Sequence, residues 1–233
     1  MRVQSRIERR LLLNYRADPE AIAPLLPVGL RPQLVEGWAV AGICLIRLGS
    51  VRPNGMPAAL GITTENAAHR IAVEWRQGDH WRSGVYVPRR DTNSRMAEVL
   101  GGRVFPGLHQ RARFEVDETD DRVRVAFTAT DGSTQVDAEV RRTREFRDSK
   151  LFPDLQTASA FFQSSPTAWS PRRDDSLEAV SLHTEAWSVE AAEPVAVRSS
   201  FFDDRTRFPA GSVALDSAML MLDVPVRWDA QTC

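Results

Sequence analysis

The sequence has a single lysine, Lys150, and only two cysteines, Cys44 and Cys233. Cys44 lies in the apolar run WAVAGICLI and Cys233 is the last residue. The pair therefore does not suggest a disulfide framework and is typical of a protein in the reducing cytoplasm. No run approaches the ~20 apolar residues of a membrane-spanning helix, and the first ten residues, MRVQSRIERR, lack the apolar stretch of a signal peptide. We therefore expect a soluble, cytoplasmic protein.

An excess of charge of either sign is also absent. The 30 basic and 31 acidic residues give a formal net charge of −1, which creates no overall field that would attract nucleic acid or an anionic membrane. The arginine doublets at 89–90, 141–142 and 172–173 have acidic residues close by, and we interpret them as solvated surface. The sequence therefore predicts neither nucleic acid nor a membrane as a partner.

The common motifs for dinucleotides, phosphates, serine nucleophiles and zinc are missing as well. The four histidines, His69, His80, His109 and His183, do not have the mutual spacing of metal ligands. A metal site formed in space by Glu65, His69 and His109 is the weaker alternative. We therefore expect no bound metal and no cofactor.

Period-two alternation of apolar and polar residues dominates the chain and predicts about nine β-strands. They cover residues 9–15, 37–48, 63–75, 81–87, 110–118, 121–130, 134–142, 180–202 and 212–222. Capping residues, a proline at a helix start and a glycine pair at a helix end predict three short helices, at 17–26, 91–102 and 154–163. This pattern indicates an α+β fold that is mostly antiparallel β. We expect one domain, 1–233, in which residues 164–176 form a long surface loop.

The strand predicted at 63–75 has two contrasting faces. One face is apolar but also carries Glu65 and His69, whereas the opposite face, 66–76, reads as solvated. Because a buried carboxylate is costly unless it is paired, either Glu65 lies at a strand end and His69 is a core histidine, or this face lines a pocket. Asp216, which alternates with apolar residues in SVALDSAMLML, favours the pocket.

The stretch GGRVFPGLHQRARFEV, 101–116, concentrates basic residues around glycine and proline turns. Alternation places His109 and Arg111 opposite the apolar Ala112 and Phe114, unless a bulge reorients them. An arginine that faces a pocket suits an anionic ligand, because its planar guanidinium pairs with carboxylates. Arg103, His109 and Arg111 are therefore candidate ligand-binding residues.

Several segments, in order and spacing, resemble the YqjF-like family, a group of uncharacterised bacterial proteins similar to acetoacetate decarboxylase. They are LLPVGL, TTENAAHRIAVEW, GVYVPRRDTNSRMAEVLGGRVFPGLHQRARF and WSVEAAEPVAVRSSFFDD. The resemblance covers most of the chain. It implies a strongly bent antiparallel β-cone or barrel with a few short helices, a central small-molecule cavity, and frequent assembly into homo-oligomers.

The resemblance also excludes one mechanism. Acetoacetate decarboxylases form a Schiff base on a lysine that follows a Gly-Arg…Gly-x-Pro turn, beside a second lysine that lowers its pKa. In GGRVFPGLHQ, His109 stands at that lysine's position and Gln110 at its neighbour's, and Lys150 lies outside the motif. Schiff-base decarboxylation is therefore not expected. Glu65 resembles the pocket glutamates of the family.

Three functions fit the sequence. The first is a binder of a small, anionic organic molecule, with Glu65, His69, Arg103, His109, Arg111 and Asp216 as the candidate site residues. The second is an enzyme without a catalytic lysine that acts on a small oxo or hydroxy acid. In this enzyme His109 would titrate near neutrality, and Glu65 would be its acid–base partner. The third is a structural or partner-binding protein.

Overall fold

A computed structural model describes residues 2–95, 107–174 and 176–231. Within these residues, thirteen strands form one large sheet. They are β1 (Arg2–Ala17), β2 (Arg31–Pro32), β3 (Leu34–Val35), β4 (Trp38–Pro53), β5 (Ile62–Gln77), β6 (His80–Thr92), β7 (His109–Glu118), β8 (Arg122–Ala129), β9 (Gln135–Arg142), β10 (Thr167–Pro171), β11 (Leu177–His183), β12 (Glu190–Ser199) and β13 (Val213–Gln231). Two α-helices are described, α1 (Pro19–Ile22) and α2 (Leu155–Gln163), and neither is long and apolar enough to cross a membrane.

The alternation identified the long strands correctly, so the prediction of a strand-rich α+β fold is confirmed. The segment 180–202 contains two strands, β11 and β12, instead of one. The expected loop at 164–176 is wrong in its centre, because β10 pairs there with β6 and β11. The helix predicted at 17–26 is α1 followed by a 3-10 turn. The helix predicted at 91–102 falls mostly outside the described residues, and its first two residues end β6.

The sheet closes on itself twice. Pairing of β11 with β13, and of β6 with both β5 and β10, produces a smaller ring made of β13, β1, β4, β5, β6, β10 and β11. A larger ring shares the first five of these strands and continues through β7, β8, β9 and β12. Most pairings are antiparallel, and β6 pairs in parallel with β7 and β10. The five shared strands therefore have a protein interior on each side.

The strand register defines these two sides. We call one the core face: it includes Leu11, Leu45 and Ala67, which are cross-strand neighbours on β1, β4 and β5 and belong to the main hydrophobic core inside the larger ring. The opposite pleat, which we call the cavity face, points into the smaller ring. A strand buried on both faces has little solvated surface, so the expectation that 66–76 is a solvated face is wrong for its first half. Arg70 is only 3% exposed.

Candidate functional site

A partly open cavity of about 130 Å³ lies inside the smaller ring, against the cavity face. Its polar lining includes three arginines, a cysteine and two hydroxyl residues. The residues that line it are Ile7, Arg10, Cys44, Ile46, Ala68, Arg70, Val85, Val87, Arg90, Phe162, Gln163, Ser165, Pro166, Ala168, Leu182, Thr184, Trp187 and Trp228. Aromatic walls that surround a few convergent polar groups are typical of small-molecule sites.

Small residues on the shared strands leave space for this cavity. Cys44, Ala68 and Arg90 form one cross-strand row on β4, β5 and β6, and the short alanine between the other two opens the floor of the cavity. Gly42 lies in the next row, where an added Cβ would come 3.2 Å from the Arg70 guanidinium carbon. The arginine therefore lies flat against the bare backbone of β4.

Arg70 is held almost entirely by neutral groups. It donates to the Asn14 Oδ1 and, through Nε, to the Cys44 Sγ at 3.2 Å, and its guanidinium stacks 4.4 Å from the centre of the Phe162 ring. Its Nη1 is buried and has no hydrogen-bond partner. Burial lowers the pKa of Arg70; Cys44 opposes this change, and the nearby positive charge of Arg10 adds to it. An anion bound beside this side chain would therefore be stabilised.

Cys44 lies between two of the arginines. Arg70 Nε at 3.2 Å and Arg10 Nη2 at 3.4 Å both donate to its sulfur. Burial by itself would raise the pKa of this thiol, but the two charges and the two hydrogen bonds outweigh burial, and the net pKa is lowered. Electropositive surroundings of this kind stabilise a thiolate.

Arg90 closes the cavity on the β6 side. Its Nε and Nη2 donate to the Ser170 Oγ at 3.2 and 3.0 Å. Burial lowers the pKa of Arg90 to about 10, and the electrostatic influence of Cys44 and Glu178 opposes this change. Glu178 also accepts a hydrogen bond from the Gly107 N–H. It does not line the cavity.

The charges around the cavity are unbalanced. Three guanidinium groups line it, and its lining in the described residues contains no aspartate or glutamate. A Cys44 thiolate would neutralise one of the three positive charges and leave an excess of two positive charges.

No group of three or more His, Cys, Asp and Glu residues in the described ranges is arranged to hold a metal ion. The donor set therefore suits an organic anion better than a metal.

His109 lies beside this site. It pairs with Arg90 across the parallel strands β6 and β7, so its side chain is on the cavity face, opposite Ala112 as alternation predicts. Its Nδ1 lies 3.1 Å from the Gly107 carbonyl oxygen. Burial and then the charge of Arg90 lower the pKa of His109 to about 4, so the expected titration near neutrality is wrong. Arg111, in the next row beside Thr92, has a buried Nη1 without a partner.

Glu65 lies on the core face, and the cavity described above does not include it. Arg9, Arg47 and Glu65 are cross-strand neighbours on β1, β4 and β5. The Glu65 carboxylate accepts from Arg9 Nη2 at 2.5 Å and from Arg47 Nε at 2.6 Å, and both arginines also pair with Glu118. This ion-pair network explains how a carboxylate that is 8% exposed stays on an apolar face. Glu65 and His109 project from opposite faces, so they do not form the expected acid–base pair.

His69 is also on the core face, and it is completely buried. Its ring packs 4.7 Å from the ring of Phe201, and neither ring nitrogen has a hydrogen-bond partner. Burial, followed by the charges of Arg89 and Arg207, lowers the pKa of His69 to about 3. It is therefore a neutral core histidine, as the first of the two alternatives predicts for this position, but its ring nitrogens are not satisfied and Glu65 does not reach solvent as that alternative requires.

Asp216 anchors a loop. Its carboxylate accepts from the Ser149 hydroxyl at 2.5 Å and from the Lys150 backbone N–H at 2.7 Å, at the point where a bulge shifts the register between β1 and β13. These contacts alone explain why a carboxylate is buried here. The prediction that Asp216 faces a ligand therefore has a structural alternative, in which Asp216 holds the loop at 149–150. Lys150 is exposed, in a loop as predicted. Arg103 lies outside the described residues.

Four cavity residues were not among the sequence-based candidates: Arg10, Cys44, Arg70 and Arg90. Arg10 and Arg70 occupy polar positions of alternating strands, which normally indicate solvent exposure. Arg90 belongs to a doublet interpreted as solvated surface, and Cys44 was interpreted as an inert buried thiol. What these four residues share is their position on one face of paired strands. That signal requires knowledge of the strand pairing, which the sequence alone does not show.

Comparison with solved structures shows which fold this is. Acetoacetate decarboxylase from Legionella pneumophila matches with a TM-score of 0.64 and 11% identity, over 100% of this chain and 88% of that one. An acetoacetate decarboxylase-like enzyme from Sphingomonas wittichii RW1 matches with a TM-score of 0.63 and 16% identity, over 99% and 91%. The enduracididine biosynthesis enzyme MppR complexed with pyruvate matches with a TM-score of 0.61 and 13% identity, over 99% and 88%. At these identities the likeness establishes the acetoacetate decarboxylase-like fold alone.

The sequence also matches a family model. Residues 4–217 fit DUF2071, described as an uncharacterised conserved protein, in agreement with the YqjF-like resemblance. No curated protein matches the sequence significantly.

Proposed function

Since this chain belongs to the DUF2071 family, whose description assigns no activity, we propose a function from the site: the protein binds a small organic carboxylate in the cavity formed by Arg10, Arg70 and Arg90. The observation that carries the proposal is the unbalanced charge of the cavity: Arg10, Arg70 and Arg90 line it, its described lining has no carboxylate, and Arg70 also has a buried Nη1 without a hydrogen-bond partner. A buried charged donor left unsatisfied is costly. A bound carboxylate would satisfy it with a charge-assisted hydrogen bond.

The size of the cavity limits the ligand. About 130 Å³ is slightly less than the ~150 Å³ cavity that accommodates benzene, so a ligand of roughly six non-hydrogen atoms fits. The structure of MppR holds pyruvate, and a further MppR structure holds the condensation product of pyruvate and imidazole 4-carboxaldehyde. A small oxo or hydroxy acid therefore satisfies both the charge and the volume of this site.

His109 and Arg111 complete the proposed site at its β7 edge. Both lie on the same pleat as Arg90 and would contact the part of a ligand that extends beyond the cavity. The geometry favours binding over acid–base catalysis by His109 and Glu65, because Glu65 is occupied by two arginines on the opposite face.

The test is a thermal-shift screen with small oxo, hydroxy and enol acids, with pyruvate and lactate as the first two compounds. A ligand that binds only the folded state raises the melting temperature by mass action, by an amount equivalent to ~2.7 kcal/mol at a hundredfold excess over Kd. We expect stabilisation of the wild type, and a shift at least halved in Arg70→Gln and in Arg90→Gln.

The matched control is Arg76→Gln, because Arg76 lies on the same strand and pleat as Arg70 but is exposed. This variant should retain the full shift. If the ligand raises the melting temperature equally in Arg70→Gln, Arg90→Gln and Arg76→Gln, it binds outside this cavity. Absence of any shift in the wild type across the panel would refute the proposal.

A further inference from the structure

We propose that Cys44 is a covalent anchor in this cavity: its sulfur adds reversibly to the carbonyl carbon of a small 2-oxo acid whose carboxylate the arginines hold. This inference rests on the proposed function, because it needs the acid to enter the cavity, and it adds a residue and a chemical step to it.

The first argument is the position of the sulfur. Cys44 lines the cavity, and its Sγ accepts hydrogen bonds from two arginines on adjacent strands, Arg10 and Arg70. A cysteine that only fills space needs no charged donors, and burying two guanidinium groups against a neutral thiol is unfavourable. The two arginines and the lowered pKa of the thiol together favour the nucleophilic thiolate.

The second argument is independent of the thiol and concerns the unbalanced charge. Arg10, Arg70 and Arg90 all line the cavity, and its described lining contains no carboxylate. Arg90 lies in the same cross-strand row as Cys44, with only the short Ala68 between them. A 2-oxo acid has matching geometry, since its carboxylate and its electrophilic carbonyl are on adjacent carbons. Binding of the carboxylate at Arg90 would bring the carbonyl carbon over Ala68, towards Sγ.

The step needs no other reactant. The thiolate electron pair forms the S–C bond, and the π pair of the carbonyl moves onto its oxygen. That oxygen takes up the proton that the thiol lost on ionisation, which gives a hemithioacetal. No group leaves and nothing is oxidised or reduced, and the reverse steps release the intact acid. An arginine N–H next to the sulfur can stabilise the developing oxyanion.

The first experiment is alkylation of the wild-type protein with iodoacetate and, separately, with the neutral iodoacetamide, followed by peptide mass spectrometry. In either reaction the S–C bond forms and iodide leaves. Cys233, the other thiol of the chain, serves as the internal reference. For each cysteine we compare the rate with iodoacetate to the rate with iodoacetamide. This ratio should be at least about tenfold higher at Cys44 than at Cys233, because one charge-assisted hydrogen bond to the carboxylate of the reagent has an effect of that size.

Pyruvate should protect Cys44 from iodoacetate and leave the Cys233 rate unchanged. Arg70→Gln should remove the preference for the anionic reagent. A Cys44 ratio equal to that of Cys233, or no protection at pyruvate concentrations that stabilise the protein, would overturn the inference. Because the reactivity ratio and the protection by pyruvate are both measured on the wild type, neither depends on how well a variant folds.

The second experiment identifies the bond. Carbon NMR of pyruvate labelled at its ketone carbon should show a protein-bound tetrahedral carbon with the wild type. The signal should be absent with Cys44→Ser, and the thermal shift produced by pyruvate should be smaller than in the wild type. Two outcomes would refute covalent capture and leave carboxylate binding intact. The first is a thermal shift of the wild type without the tetrahedral-carbon signal, and the second is a tetrahedral-carbon signal that persists in Cys44→Ser. If no acid stabilises the wild type, both the proposed function and this inference fail.

Discussion

Buried charges in this protein are satisfied in two different ways. Glu65 lies between Arg9 and Arg47 and is fully paired, so its burial is a matter of stability. Arg70 is equally buried, but its partners are an amide oxygen, a sulfur and an aromatic ring. The residue whose charge is balanced within the chain is structural, and the residue whose charge is not balanced is the better candidate for contact with a ligand.

Replacing Glu65 should therefore affect stability. Glu65→Gln removes the charge that compensates the 2%-exposed Arg9, and we expect a loss of about 3 kcal/mol in the free energy of unfolding, as for a broken buried pair. Urea unfolding measures it.

Glu74→Gln is the matched control, because Glu74 lies on the same strand and pairs with Arg31 at an exposed position. It should cost less than ~1 kcal/mol. If both substitutions cost the same and Glu65→Gln instead abolishes ligand stabilisation, Glu65 belongs to the binding site.

At the scale of single elements, helix α2 forms one wall of the cavity. Its Phe162 covers Arg70, and the chain that follows it, through β10, lines the cavity. The helix begins at an N-cap, where the Asp154 carboxylate accepts from the Thr157 N–H at 2.7 Å. A wall of the cavity thus depends on how firmly a nine-residue helix is held.

Asp154→Ala should destabilise the protein by about 1 kcal/mol, since it removes the acceptor that satisfies a free N–H of the first turn. Asp154→Asn keeps an acceptor at the same place and should cost less than half as much. Thermal or urea unfolding of the two variants measures the difference. Equal losses would mean that the charge of Asp154, and not the hydrogen bond, stabilises α2.

At the scale of the whole molecule, β1 from the start of the chain pairs with β13 from its end along nearly their full length. We propose that the chain unfolds as one cooperative domain, because both rings share these strands. The stability of that unit should depend on pH through two buried histidines. Burial lowers the pKa of His69 to about 3 and of His109 to about 4, against ~6.5 in an unfolded chain.

The sign follows from proton binding. Between pH 6.5 and these lowered values the unfolded chain binds protons that the folded protein does not, so stability is present above pH 6.5 and falls as the solution is acidified. For the fully buried His69 the loss from pH 7 to pH 5 should be roughly 2 kcal/mol. His69→Leu should reduce the loss of the wild type by that amount. Urea unfolding followed by both tryptophan fluorescence and far-UV circular dichroism tests the idea.

An unchanged pH dependence in His69→Leu would show that His69 is protonated in the folded protein. Unfolding curves that differ between the two spectroscopic signals would contradict a single cooperative unit.

The sequence by itself determined the long strands, because the polar–apolar period of two appears in the residues themselves and does not depend on partners. It also determined that residue 109 is a histidine and that the single lysine of the chain is at position 150. Tertiary structure decided which faces are buried. Period two shows that Glu65 and Arg70 point in opposite directions, but only ring closure places a second interior over the polar side of β5. The pairing of Arg9 with Glu65, and the meeting of Arg10, Cys44 and Arg70, depend on cross-strand register, which no local pattern records.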